Sequence, residues 1–323
     1  MEKIIRDQVQ ETATLGQRAR EFVQYPVVAS FIAGGVAGAV SRTVVSPLER
    51  AKIIFQVQGP GSQAYQGMVP TLVKMWKEEG WRGYMRGNGT NCIRIVPYSA
   101  VQFSSYTVYK KFLLGTSRKD LDTVERLSAG ALAGITSVFA TYPLDIVRTR
   151  LSIQTASIGS SSRASQARQH PPGMWSVMKN IYRTEGGIVA LYRGIIPTTM
   201  GVAPYVGLNF AVYESMREFV TPEGQENPGA FGKLFSGAVS GAVAQTLTYP
   251  FDVLRRRFQV VSMGEGSLGF GYNSVWDALR KIVMQEGVRG LYKGLSANLL
   301  KVAPSMASSW LSYEFTKDMI AKL

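Results

Sequence analysis

Cysteine and histidine are nearly absent, with one of each in 323 residues. With Cys92 alone, no internal disulfide or thiolate cluster can form, and Cys92 reads best as a small packing residue. His170 stands alone in a polar stretch, so no metal constellation can be assembled, and neither metal nor cofactor is expected. Acids are scarce as well, 22 against 36 Lys and Arg, for a formal charge of +14. Such an excess suits nucleic acid, anionic lipid or an anionic substrate. The bases are dispersed along the chain and form no recognisable nucleic-acid module, so no nucleic-acid partner is expected. Long charge-free apolar runs are rare too. The best spanning candidate, Val27 to Val45, has the length a bilayer requires but contains Arg42. An arginine at that depth points to a watery cavity rather than to lipid.

What is present is a triplicated pattern. Pro47-Leu-Glu49-Arg-Ala-Lys52, Pro143-Leu-Asp145-Ile-Val-Arg148 and Pro250-Phe-Asp252-Val-Leu-Arg255 each set an acid two residues and a base five residues after proline. Gly34-xxx-Gly38, Gly130-xxx-Gly134 and Gly237-xxx-Gly241 precede them in register. Glu79-Gly80, Glu185-Gly186 and Glu286-Gly287 follow, then Arg86-Gly87, Tyr192-Arg193-Gly194 and Tyr292-Lys293-Gly294. Pro97, Pro204 and Pro304 close the series. The length alone would allow two ordinary soluble domains, but three units of about a hundred residues must be settled first.

These motifs resemble the mitochondrial carrier family over about residues 25 to 320. The resemblance implies an all-α membrane protein: three tandem repeats, each two transmembrane helices and a short matrix surface helix, in a six-helix pseudo-threefold barrel. It also implies a monomer in the inner mitochondrial membrane with both termini toward the intermembrane space. The expected divisions are a tail at 1–24 and repeats at 25–115, 120–221 and 229–323. The tail has no secretory core, no acidic calcium loop, and too many acids for a cleaved presequence. Spanning helices are expected at about 26–57, 88–113, 121–153, 195–220, 230–261 and 295–321, with surface helices at about 69–79, 173–184 and 274–286. The Ser-, Gln- and Arg-rich stretch 155–172 reads as a loop. The Gly-xxx-Gly pairs are expected to let helices approach closely.

Prolines in register bend three helices, so that they converge below a cavity. By resemblance a matrix gate forms there from Glu49–Arg148, Asp145–Arg255 and Asp252–Lys52, with Gln56 and Gln259 as braces. Ser152 at the third brace position is too short, and Ile54 stands where the other repeats have Arg150 and Arg257. Ordinary solvated i,i+3 pairs would not require the same proline each time. A second, cytosolic gate is implied by Tyr213-Glu214-xx-Arg217 and Tyr313-Glu314-xx-Lys317. The first repeat offers Tyr106-Thr107-xx-Lys110, with threonine in place of the acid, so this gate is expected to be the weaker one.

Family contact points fall on Arg94, Gly201 and Lys301. Arg42, Arg94 and Lys301 suit phosphate or sulfate groups. Gly201-Val202 gives a flat ring access to the backbone, with Tyr205 available for stacking; in the family this pair accompanies adenine nucleotides. Asn91 and Gln102 are further hydrogen-bonding candidates. The surface-helix starts and the glycine turns suit cardiolipin by resemblance, or are simple turn chemistry. The implied activity is exchange of small adenine-containing anions by alternating access, with no enzymatic chemistry. The run Arg86 to Phe103 is similar to carriers of adenosine phosphosulfates and of coenzyme A, and ATP/ADP or ATP-Mg/phosphate exchange also fits. An uncoupling-type leak and a soluble helical scaffold remain as readings of another class.

Overall fold

The computed structural model describes residues 23–60, 65, 67–115, 121–156, 172–221, 229–261 and 271–322. Most of the tail and most of the 155–172 loop lie outside the described residues. Among those described, every regular element is helical.

The chain divides into two compact units. The smaller holds residues up to Val45 and from Lys301 onward; the larger runs from Ser46 to Leu300. Helix α1 (Pro26–Val57) contributes to both. In the smaller unit, Ser41 donates to the Ser305 carbonyl at 2.8 Å and ties α1 to the last helix. Arg42 and Lys301, two of the residues expected to contact substrate, are half-buried members of this unit.

The larger unit repeats one plan. A long helix contains the signature proline: α1, α4 (Thr123–Ile153) and α8 (Ala230–Val260). A surface helix follows: α2 (Met68–Tyr84), α5 (Met174–Thr184) and α9 (Val275–Glu286). Then come α3 (Asn88–Leu114), the short α6 (Ile188–Leu191) leading to α7 (Ile195–Val220), and α10 (Leu295–Leu300). The glycine after each surface-helix glutamate takes positive φ, 63° at Gly80 and 69° at Gly287, which stops the helix. In α2 a second short helical piece, up to Tyr84, follows that break at Gly80. At the other end of α9, Ser274 accepts from the Asp277 N–H at 3.1 Å, which explains why serine serves where the first repeat uses Gly67.

Each surface helix is fixed by its apolar face. Met75 packs with Ile53 and Ile54, Val177 and Ile181 with Ile146 and Val147, and Ile282 with Leu254. Their opposite faces carry exposed Trp76, Trp175 and Trp276.

The last helix covers the expected span, 295 to 321, as α10 and α11 (Val302–Ala321), with Lys301 between them at φ −70° and ψ −20°. Pro304 has no N–H for the Leu300 carbonyl, so one helical bond is lost there. Three stretches, Val28–Val57, Thr123–Ile153 and Ile188–Val220, are long and apolar enough to cross a membrane by composition. The other long helices are diluted by polar residues, for example Gln245, Asp252 and Arg255 in α8.

The glycine stripes also differ from expectation. A Cβ added at Gly34, Gly130, Gly237 or Gly241 would meet nothing within 4 Å, and at Gly134 only Val202, at 3.7 Å. Gly130 and Gly134 line an open cavity, where Gly134 meets α7 at Val202.

Candidate functional site

Just past the signature prolines of the larger unit, the acids and bases of the three repeats meet in a ring. Arg148 contacts Glu49. Arg255 reaches Asp145 at 2.5 Å, and Lys52 reaches Asp252 at 3.2 Å. Each bond joins one repeat to the next, and all three run in the same cyclic sense. The ring is not uniform. The Asp145 carboxylate is 1% exposed and also meets Arg256 and Arg94, both at 3.1 Å, whereas Asp252 is 33% exposed.

The braces differ among the seams. Gln259 donates to Asp145 at 2.8 Å and to the Tyr142 hydroxyl at 3.2 Å. Gln56 donates to the Tyr249 hydroxyl at 3.1 Å. Tyr142 and Tyr249 in turn donate to the Arg193 and Lys293 carbonyls. At the seam of repeats 1 and 2 both partners are serine: Ser46 donates to the Tyr84 carbonyl, and Ser152 turns back onto Arg148 of its own helix. A cavity of about 10 Å³ remains there beside Glu49, Arg86 and Arg148, room for one water-sized sphere.

A second layer pins the same helices, and sequence reasoning missed its first member. Arg150 pairs with Glu185, and Arg257 with Glu286 at 2.5 Å. Ile54 replaces the equivalent arginine in repeat 1, yet the bond is made: Arg50, four residues earlier and so one turn away, reaches Glu79 at 2.6 Å. The three Nε atoms donate to the carbonyls of Ser152, Gln259 and Gln56, again each to the next repeat. These guanidiniums are dry, so each carboxylate is required to neutralise a buried charge. Burial alone would raise the Glu286 carboxyl, but the Arg257 hydrogen bonds and charge, with Lys293, hold it below its ordinary range.

Glycine turns close these seams. Gly87, Gly194 and Gly294 are left-handed, and a Cβ at each would lie within about 3 Å of the carbonyl of Arg148, Arg255 or Lys52. The turns thus seat the second helix of one repeat on the gate helix of the next. Asn298 follows four residues on and accepts from Lys52 at 2.9 Å. Asn91 holds the matching place beside Glu49, at 3.5 Å.

Next to the ring lies a cavity of about 330 Å³. Gly201, Val202 and Tyr205 line it with Tyr98, Gln102 and Gln245, and Asp252 and Arg255 of the ring are part of its wall. A Cβ added at Gly201 would stand 3.1 Å from Cβ of Phe251, a tight contact between α7 and α8. Arg94 is committed to Asp145, with its guanidinium 5.5 Å from the Tyr98 ring.

Residues expected to form the second gate make contacts along their own helices. Arg217 meets Glu214 at 3.5 Å along α7, and Lys317 lies 6.0 Å from the Tyr313 ring along α11. Thr107 turns its hydroxyl to the Phe103 carbonyl, Lys110 is half-buried, and Glu314 is exposed. Among the described residues no cluster of His, Cys, Asp or Glu could hold a metal.

The mitochondrial carrier protein family matches three times, at residues 23–117, 119–224 and 226–323. The chain is 52% identical to an uncharacterized mitochondrial carrier of Saccharomyces cerevisiae, over 93% of this chain and 95% of the other. It is 43% identical to a mitochondrial adenine nucleotide transporter of Arabidopsis thaliana, over 97% and 94%. To a mitochondrial coenzyme A transporter of Xenopus tropicalis it is 36% identical, over 92% and 87%. The chain belongs to the mitochondrial carrier family, three-repeat helical transporters of the mitochondrial inner membrane rather than enzymes.

Proposed function

We propose that this carrier exchanges adenine-containing phosphorylated anions across the inner mitochondrial membrane. The observation that carries the reading is the cavity against the ion-pair ring: tyrosines and Val202 for a base, Arg255 in its wall and Arg94 beside the lining Tyr98 for phosphates. Similarity to an adenine nucleotide transporter and a coenzyme A transporter supports the same class. The ring of Glu49, Lys52, Asp145, Arg148, Asp252 and Arg255 acts as the matrix gate. The open glycine stripes are where the helices draw together on the other side as that gate parts. Arg94 is the phosphate contact, and taking it from Asp145 loosens the gate. Substrate drives the switch because it binds the occluded state better than either open one.

The test is thermal unfolding of the purified carrier against a panel. The panel holds the two adenosine phosphosulfates, coenzyme A, adenosine 3′,5′-bisphosphate, AMP, ADP, ATP, GTP and plain phosphate. Ligand raises the unfolding temperature by mass action. Stabilisation confined to adenine anions supports the reading and ranks its members, with the phosphosulfates and coenzyme A favoured by the Arg86 to Phe103 run. Stabilisation by phosphate or carboxylates alone removes it.

A further inference from the structure

The cavity wall contains one polar side chain whose orientation chemistry fixes. Gln245 stands on α8 five residues before Pro250, where the other repeats have Arg42 and Val138. Its Nε2 donates to Asp252 Oδ2 at 3.0 Å, the same oxygen that takes Lys52. A carboxylate only accepts, so the amide nitrogen must lie on the gate side. One amide hydrogen and the carbonyl oxygen are then left for a ligand. The threonines of the wall have no such capacity to spare, since Thr198 and Thr248 give their hydroxyl hydrogens to carbonyls of their own helices. Gln102, across the cavity, has no carboxylate to orient it.

A donor and an acceptor side by side on one amide match the N7 acceptor and N6–H donor of adenine. The neighbouring tyrosines supply stacking faces. We propose that Gln245 selects adenine over other purines, and that the same side chain passes its arrival to the Asp252–Lys52 pair. This rests on the adenine-anion reading above and adds a residue to it. Drawing the amide toward a base strains its bond to Asp252, so recognition and release of the gate become one event.

The experiment compares AMP, IMP and purine riboside 5′-monophosphate, which keep the phosphate and change only the six-position of the base. Half-maximal stabilising concentrations are measured by thermal unfolding of the full-length carrier. The native protein is expected to prefer AMP about tenfold over both analogues. Gln245→Leu is expected to bind all three about equally, at the level of the analogues, because the phosphate contacts remain. Gln245→Glu, which keeps the length and loses the donor, is expected to lose the preference as well. Ligand-free unfolding shows whether each variant folds; if neither does, the native series alone decides. Equal binding of AMP and IMP by the native protein overturns the proposal, as does a Gln245→Leu carrier that still prefers AMP. Absence of any shift with AMP, beside a shift with phosphate, overturns the adenine-anion reading and the proposal with it.

Discussion

The seam between repeats 2 and 3 and the seam between repeats 1 and 2 occupy equivalent places and are built differently. In the first, Asp145 is dry and faces Arg255, Arg256 and Arg94, with Gln259 and Tyr142 bonded across it. In the second, Glu49 faces Arg148, both brace residues are serine, and a cavity of about 10 Å³ remains. The third seam is intermediate, with the Gln56–Tyr249 brace but a half-wet Asp252. The difference teaches that threefold repetition of a signature does not produce threefold equality of strength. A gate must be released, and a pair without a Tyr–Gln brace parts more readily than one held dry among three arginines. The 1–2 seam is therefore the one that yields first.

The largest effect is expected at the strong seam. Asp145→Asn leaves three arginines around a neutral amide, a loss on the order of 3–5 kcal/mol, read as a lower unfolding temperature together with loss of exchange. If the variant stayed as stable as the native carrier, the hub would have no such importance. Glu286→Gln should cost nearly as much by stranding Arg257, which is 0% exposed at its side chain. Removing the charge of the partly exposed Asp277 instead should cost much less, and equal losses at the two sites would deny the role of burial.

Strengthening the weak seam should give a smaller effect of opposite sign. Ser46→Tyr with Ser152→Gln installs the Tyr–Gln brace of the other two seams, and should add about 1–2 kcal/mol while slowing exchange several-fold. Either substitution alone should give less than half of the pair's gain, since each needs the other. Thr107→Glu, which restores the missing acid of the opposite gate, should slow opening on that side, seen in the ratio of inhibitor-trapped states. An unchanged ratio and rate would remove that gate's asymmetry from the account.

The smallest effect is in acid. Glu286 titrates below its unfolded value, so its contribution is complete above the ordinary glutamate range, about pH 4.3, and is lost as pH falls through the folded value. Glu286→Gln should flatten this part of the stability profile.

Strict register made the fold legible: proline, acid and base at fixed offsets in three repeats left little choice of architecture. The ring residues could be named for the same reason, since each stands at a repeated position. What escaped depended on reach or on neighbours from another repeat. Arg50 sits at the wrong offset, but a guanidinium on a long stem spans one helical turn. Arg94 was read as facing substrate alone, whereas its partner Asp145 comes from the next repeat. That Phe251 of α8 lies close to Gly201 could not be read from the repeat either, because it depends on how two helices pack. The glycine stripes suggested contact, whereas most of these glycines border open space in the folded protein. Gln245 broke the repeat pattern, a signal that register-based reading passes over.

The most direct measurement is counter-exchange in liposomes holding the purified carrier. Labelled AMP outside would be followed with AMP, plain phosphate or buffer alone inside. The account predicts rapid uptake only when an adenine anion is inside, because the ring releases for a bound substrate. Equal uptake into buffer-filled liposomes, or a nucleotide-inhibited leak of small ions without nucleotide uptake, would contradict it.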